Sequence, residues 1–411
     1  MHNTPLIVPD VPSADTLLML SKLIGFNTVS RESNLGLIEW ARDYLQGLGA
    51  KVRLTYDSSK KKANLFATFG DGPSFGTVFS GHTDVVPVDG QQWDTDPFVA
   101  TTIGDRIHGR GTCDMKGFIA VCLSRLARFS VAELHTPIHF SFSYDEELGC
   151  LGVRGLLDDL HANGIAPTAC IVGEPTMMQA VMAHKGKRAY RCTVHGHSAH
   201  SSSPHLAINA VDFSAELIVK IRQIAERIRD KEAVDTDFDV PYSTIVTTVV
   251  QGGTVINTIP SSCEFVFEHR FLPGVDPELV FGELQAYAEQ VMLPRMKSGS
   301  NDGRVQFEIL SSYPGLNAAP SDVLVQRAIG ILGADRAHKV GFGTEAGLFS
   351  AAGIPAVICG PGDIAHAHKP NEFVTLEQLA RCEAFFDDYV KATSVHGAPR
   401  LRQAQGAASW I

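Results

Sequence analysis

The chain has 411 residues, 44% hydrophobic and 19% charged, a balance that excludes a disordered polymer and allows two or three domains with separate cores. A formal net charge of −10 argues against a nucleic-acid or anionic-membrane partner, since both select a basic surface. No apolar run reaches the length of a membrane span. The start, Met1-His2-Asn3-Thr4-Pro5, lacks the basic and apolar regions of a signal peptide. Eight cysteines are scattered without a Cys-x-x-Cys pair, and most sit in apolar runs. That fits reduced, buried thiols and a cytoplasmic location.

In chain order, helix-period apolar residues predict helices over Ala14–Ile24 and Leu35–Leu48. Asn64–Phe69 and Thr77–Ser80 read as strands, Phe118–Phe129 as a helix, and Ile138–Ser143 and Ala169–Val172 as strands. Strands separated by helices predict a mainly parallel sheet covered on both faces. Near Lys185 the pattern changes. Strand Arg188–Val194, helix Ala207–Ile228, strands Ser243–Val250 and Cys263–Phe271, helix Pro277–Met292 and strand Val305–Leu310 follow. The order β-α-β-β-α-β is that of a ferredoxin-like unit. From Leu316 the α/β pattern resumes with helix Val323–Leu332, strand Ala356–Cys359 and helix Thr375–Ala392. The expected organisation is therefore an α/β domain over 1–184 and 313–411, interrupted by a module over 185–312, with a loose tail from about 393.

The chain has no GxxxxGK[ST] loop for nucleoside triphosphates and no GxSxG elbow for a serine hydrolase. Instead, acids and imidazoles fall after predicted strands. His82 and Asp84 follow Thr77–Ser80, Asp145-Glu146-Glu147 follows Ile138–Ser143, and Glu174 follows Ala169–Val172. Asp114 precedes a helix, and His366 and His368 follow Ala356–Cys359. In an open α/β sheet the carboxyl ends of the strands share the ligand-binding edge. Singly, each residue reads first as a helix cap or a solvated loop residue. Five coincidences at one edge call for a common cause. Clustered carboxylates repel and resist desolvation, and a divalent metal resolves both. Three carboxylates and two imidazoles suit two metals sharing a carboxylate.

The motifs Ser80-Gly-His-Thr-Asp-Val-Val-Pro87, Trp93-Asp-Thr-Asp-Pro-Phe98, Gly109-Arg-Gly-Thr-Cys-Asp-Met-Lys-Gly117, Asp145-Glu-Glu-Leu-Gly149, Gly173-Glu-Pro-Thr176 and His366-Ala-His-Lys-Pro-Asn-Glu372 complete the picture. Through them the chain resembles the zinc aminoacylase family, which includes acetylornithine deacetylase, succinyl-diaminopimelate desuccinylase, carboxypeptidase G and aminoacylase-1. The resemblance implies two zinc ions per subunit, with cobalt or manganese as substitutes. Asp114 would bridge them, with His82 and Glu174 on one and Glu147 and His368 on the other. It further implies Asp84 as the carboxylate that orients His82 and Glu146 as the general base. The inserted module would be a dimerisation and lid domain of a homodimer. Its His200 would stabilise the oxyanion in the partner subunit's site, and Asn257 and Arg270 would hold the substrate.

Gly341-Phe-Gly-Thr-Glu-Ala-Gly347 is similar to the acetylornithine deacetylase branch. This implies hydrolysis of N2-acetyl-L-ornithine in arginine biosynthesis, with Gly343, Thr344 and Glu345 at the substrate and Glu345 facing its side-chain amine. Three alternatives stand beside it. One is a deacylase of another N-acyl amino acid, such as a succinyl-diaminopimelate desuccinylase or a general aminoacylase. The second is a metallo-dipeptidase or carboxypeptidase. The third, from a different class, is a non-catalytic relative that binds amino acids, against which retention of Glu146 counts.

Overall fold

A computed structural model describes residues 10–71, 75–129, 134, 136–297 and 302–394. The tail expected from about Thr393 lies, beyond Ser394, outside the described residues. The chain divides into two compact units. One comprises the chain up to Ala183, Leu316–Lys339 and the part from Thr344 onward, and the other His184–Gly315 with Val340–Gly343.

The first unit is built on a nine-stranded sheet. Its four central strands, Ile138–Ser143, Thr77–His82, Ala169–Val172 and Ala356–Ile358, run parallel in that order. Lys51–Tyr56 and Ala63–Phe69 extend one side in antiparallel fashion, and Val181–His184 begins the other. Alternation along the strands separates two chemistries. Phe79 pairs with Phe140, while Ser80 pairs with Ser141 and His82 with Ser143. Successive side chains point to opposite faces, so one face is aromatic and the other polar. The aromatic face lies under the helices Lys116–Leu126 and Leu376–Ser394, with the Phe79 ring centroid 4.7 Å from Phe386 and 5.7 Å from Tyr389. Every residue of Lys116–Leu126 is buried, which is why its sequence is apolar on nearly all sides.

The second unit is an antiparallel sheet in the order Thr244–Gly252, Ser262–Phe271, Gly186–His195, Arg304–Tyr313. With the helices Ala210–Lys231 and Pro277–Tyr287 it forms the βαββαβ arrangement expected from sequence. Its core joins Tyr190, Phe265 and Phe267 to Leu217, Ile221 and Leu284.

Element ends moved where local chemistry intervened. The helix expected from Ala207 begins at Ala210, because the Asn209 side chain accepts the Val211 N–H at 3.1 Å. The helix expected over Pro277–Met292 passes through a π turn at Ala288–Met292 and ends at Lys297. The short elements Lys51–Tyr56, Gly152–Ala162, Val181–His184 and Ala346–Ala351 were not foreseen. All eight cysteines are buried free thiols. Among the described residues no helix is long and apolar enough to cross a membrane.

Candidate metal centre

The parallel strands deliver their carboxyl ends to one edge, where ligands bind in such sheets. His82 is the last residue of its strand, Glu146 and Glu147 turn off Ile138–Ser143, and Glu174 follows Ala169–Val172. Asp114 arrives from the loop before helix Lys116–Leu126, and His368 from the loop after Ala356–Ile358. Gly173 makes room for the Glu174 turn, since a Cβ there would sit 2.0 Å from the Phe118 ring.

Asp114 stands between two imidazoles. His82 Nε2 lies 2.8 Å from its Oδ1, and His368 Nε2 lies 3.1 Å from its Oδ2. His82 Nε2 is also 3.6 Å from Glu174 Oε1, and His368 Nε2 is 3.0 Å from Glu147 Oε2. Two groups of potential ligand atoms each fall within 4.8 Å, His82–Asp114–Glu147 and His82–Glu146–Glu174. His366 instead packs its ring 4.2 Å from Phe373.

His82 Nδ1 lies 2.9 Å from the Asp84 carbonyl oxygen and 3.6 Å from its carboxylate. The backbone, more than the carboxylate, therefore fixes the ring so that Nε2 faces the cluster. The Asp84 carboxylate instead accepts the Ser30 hydroxyl at 2.7 Å and the backbone N–H groups of Glu146 and Glu147 at 3.1 and 3.3 Å. It thus anchors the acidic turn as well as sitting beside His82.

The cluster's electrostatics call for a cation. Burial, with neighbouring carboxylates adding to it, pushes Glu146 up to about 8 and Glu147 up to about 7, and raises Glu174 well above the usual carboxylate range. Hydrogen bonds to Asp114 and Glu147 raise His368 to about 10. Burial opposes ionisation of Asp114, but hydrogen bonds from His368 and His82 hold its carboxyl low. Protons thus occupy the role that positive charge must fill. Imidazole and carboxylate donors without thiolate fit a catalytic divalent metal. The residues that would hold such ions are His82, Asp114, Glu147, Glu174 and His368, with Glu146 within reach of the His82–Glu174 group.

Of the other expected site residues, Thr344 and Glu345 belong to the first unit with this cluster. Glu345 is 1% exposed, beside the Ser80 and Ser143 hydroxyls, with Ser80 Oγ donating to Oε2 at 3.4 Å. Burial raises it to about 7. Thr344 Oγ1 accepts the Ala346 N–H at 3.0 Å. Gly343, His200, Asn257 and Arg270 belong to the second unit. A Cβ at Gly343 would lie 2.1 Å from the Tyr313 ring. His200 Nδ1 accepts the Ser202 N–H at 3.2 Å, leaving the proton of a neutral ring on Nε2. Asn257 is exposed, and its carbonyl accepts the Ser201 N–H at 3.0 Å. Arg270 Nε donates to Glu268 Oε1 at 2.5 Å and Nη1 to the Gly341 carbonyl at 3.4 Å.

Sequence reasoning gave no role to Ser30, Arg110 or Glu372. Arg110 lies in the Gly109–Gly117 motif and Glu372 in the His366–Glu372 motif, so their residue types were visible but their pairing was not. Glu372 and Arg110 are each buried and paired at 2.5 Å.

The chain matches the model of peptidase family M20/M25/M40 over residues 78–392. It is 33% identical to an acetylornithine deacetylase of Pasteurella multocida (strain Pm70) over 369 residues, 88% of this chain and 93% of that protein. A metallo-carboxypeptidase of the M20 family from Sulfolobus solfataricus shares the fold, with a TM-score of 0.73 at 19% identity, over 93% of this chain and 100% of that one. So does a dinuclear metal-binding peptidase of the M20 family from Bacillus subtilis, with a TM-score of 0.63 at 16% identity, over 91% and 96%. With the family match spanning most of its length and the acidic, imidazole-lined edge in place, the chain belongs to peptidase family M20/M25/M40 and is a metal-dependent hydrolase of amide bonds.

Proposed function

We propose that the enzyme hydrolyses N2-acetyl-L-ornithine to L-ornithine and acetate with two zinc ions per subunit. The observation that carries the substrate is the 33% identity, over 88% of the chain, to the Pasteurella multocida acetylornithine deacetylase. Asp114 would be shared by the two ions, with His82 and Glu174 holding one and Glu147 and His368 the other. The approach of a different imidazole to each Asp114 oxygen supports this division. Divalent cations held there would supply a water molecule of lowered pKa and polarisation of the scissile carbonyl.

The remaining work falls to side chains. Glu146 takes a proton from the attacking water and returns it to the departing amine. Its buried setting favours the protonated form and so suits a group that must pick up a proton near neutral pH. Asp84 holds the turn that carries Glu146 and Glu147. His200, with its Nε2–H free of the Ser202 contact, donates to the developing oxyanion of the partner subunit's site. Asn257 and Arg270 hold the substrate, Arg270 through its α-carboxylate.

A homodimer through the inserted module is part of this reading. The module carries exposed apolar side chains that a partner would cover, including Val250 and a fully exposed Ile256. Glu345 favours a second reading of the same chemistry. Its carboxylate already faces the Ser80 and Ser143 hydroxyls, which leaves room for an N-acyl amino acid other than acetylornithine.

Steady-state rates on N-acetyl, N-succinyl and dipeptide substrates decide between the readings. The proposal expects the highest kcat/KM with N2-acetyl-L-ornithine. A higher value for an N-succinyl or dipeptide substrate sinks the acetylornithine assignment and leaves the amidohydrolase chemistry standing.

A further inference from the structure

The Asp114 loop and the His368 loop are joined by a buried ionic link. Glu372 Oε1 accepts three backbone N–H groups, from Gly111, Cys113 and Asp114, at 3.0, 2.9 and 3.1 Å. Its Oε2 accepts Arg110 Nη1 at 2.5 Å. From there the contacts run to the other ligand. Arg110 Nη1 donates to the Lys369 carbonyl at 3.3 Å, and Nη2 donates to Gln91 Oε1 at 2.7 Å. Gln91 Nε2 then donates to the His368 carbonyl at 3.0 Å. The Arg110 guanidinium lies 5.1 Å from the Trp93 ring centroid, and Trp93 Nε1 donates to Gln91 Oε1 at 3.1 Å.

Burying a charged pair is expensive, and such a pair is weak evidence for stability by itself. Here the carboxylate is satisfied on both oxygens, and nearly all its acceptor capacity goes to the turn that presents Asp114. His368 adopts φ 65°, a left-handed backbone that a non-glycine residue holds only when its surroundings impose it. Its carbonyl is the one Gln91 grips. We propose that Glu372, Arg110 and Gln91 are positioning residues that set the spacing between Asp114 and His368 and thereby the affinity of the metal centre. Glu372 acts through Asp114, and so on both ions. Gln91 acts through His368, and so on one.

This inference rests on the ligand assignment under the proposed function, and the test separates the two. Apoprotein of the wild type, Gln91→Ala, Glu372→Gln and His368→Ala is titrated with zinc by calorimetry, with circular dichroism reporting the fold. Removal of groups that orient ligands typically weakens metal binding by about 10–100-fold. Gln91→Ala is expected to weaken one of two equivalents by that factor, and Glu372→Gln to weaken both, since its amide NH2 must face donors in either orientation, Arg110 or the backbone N–H groups of the Asp114 turn. A purely structural role lowers the melting temperature and leaves both affinities at the wild-type value. If His368→Ala loses one equivalent while folded Gln91→Ala binds two as tightly as the wild type, the positioning role is overturned and the ligand assignment stands. If His368→Ala still binds two, the ligand assignment falls and the inference falls with it. Gln91 is only partly buried, so its variant decides the matter even where Glu372→Gln does not fold.

Discussion

Glu146 and Glu147 are neighbours in one turn yet meet different partners. Glu147 reaches His368 at 3.0 Å, whereas Glu146 Oε1 accepts the Cys150 thiol at 3.3 Å. On the proposed roles, Glu146→Ala keeps two metal equivalents and loses turnover by about 10²–10⁴-fold, the usual contribution of general acid–base groups. Metal analysis beside kcat checks this. Because Glu146 also lies within a ligand-sized group with His82 and Glu174, the reverse result has a clear meaning. Release of a metal by Glu146→Ala, with Glu147→Ala sparing both, exchanges the two roles. The same residues predict a pH dependence. Without metal, hydrogen bonds to Asp114 and Glu147 raise His368 to about 10, and burial raises its partner Glu147 to about 7. A raised pKa means that the protonated form persists to higher pH, and ligands must lose that proton to bind a cation. Zinc added to apoprotein at pH 7 is therefore expected to release protons, and metal affinity to fall as pH is lowered. A weakly buffered titration with an indicator dye measures the release, and metal uptake without it counts against this ligand set.

The elements work by placing the proposed ligands at strand ends while packing holds the strands in register. Strand Ala169–Val172 is four residues long and ends at the Gly173-Glu174 turn, pressed against Phe118 of a fully buried helix. A methyl group at position 173 has nowhere to go, because Phe118 is itself 1% exposed. Overpacking of this kind costs about 1–3 kcal/mol. Gly173→Ala is thus expected to lower the denaturant midpoint correspondingly and, by moving the Glu174 turn, to weaken metal binding. Unchanged metal affinity in a destabilised Gly173→Ala protein would show that the turn adapts without displacing Glu174. Helix Ala14–Ile24, by contrast, buries Leu20, Leu23 and Ile24 but leaves Leu18 at 71% exposure, and Leu18→Ala should leave both quantities near wild type.

At the scale of the whole molecule, the proposed dimer predicts complementation between dead subunits. Glu146→Ala lacks the base, and His200→Ala lacks the oxyanion donor. The His200 substitution alone should lower the rate by roughly 10²–10³-fold with metal content unchanged. In a mixed dimer with donation across the interface, one site carries both defects. The other keeps Glu146 and receives an intact His200. Activity up to half that of wild type per heterodimer is expected after subunit exchange. Verified heterodimers that stay inactive would remove the support for cross-subunit action.

How much of this was legible in the sequence follows from what each signal depends on. The strands Ile138–Ser143 and Ala169–Val172 and the helices Ala14–Ile24 and Val323–Leu332 were read to their ends, because apolar periodicity and terminating residues are local. The βαββαβ order of the second unit was legible for the same reason, and the strand-end rule alone brings His82, Glu147, Glu174 and His368 to one edge. Short elements such as Val181–His184 were not legible, since four residues carry too little pattern to stand out. Nor was the burial of Glu345, which depends on the serines that Thr77–His82 and Ile138–Ser143 turn to their polar face. The sequence by itself determined which residues have the chemistry to hold a metal and on which elements they ride, because residue type and periodicity are written locally. Only the tertiary structure decided that Asp114 lies between two imidazoles, that the Asp84 backbone rather than its carboxylate is nearer to His82, and that a buried Arg110–Glu372 pair ties the Asp114 loop to the His368 loop, because those contacts join segments that are remote in the chain and close only when the sheet is assembled.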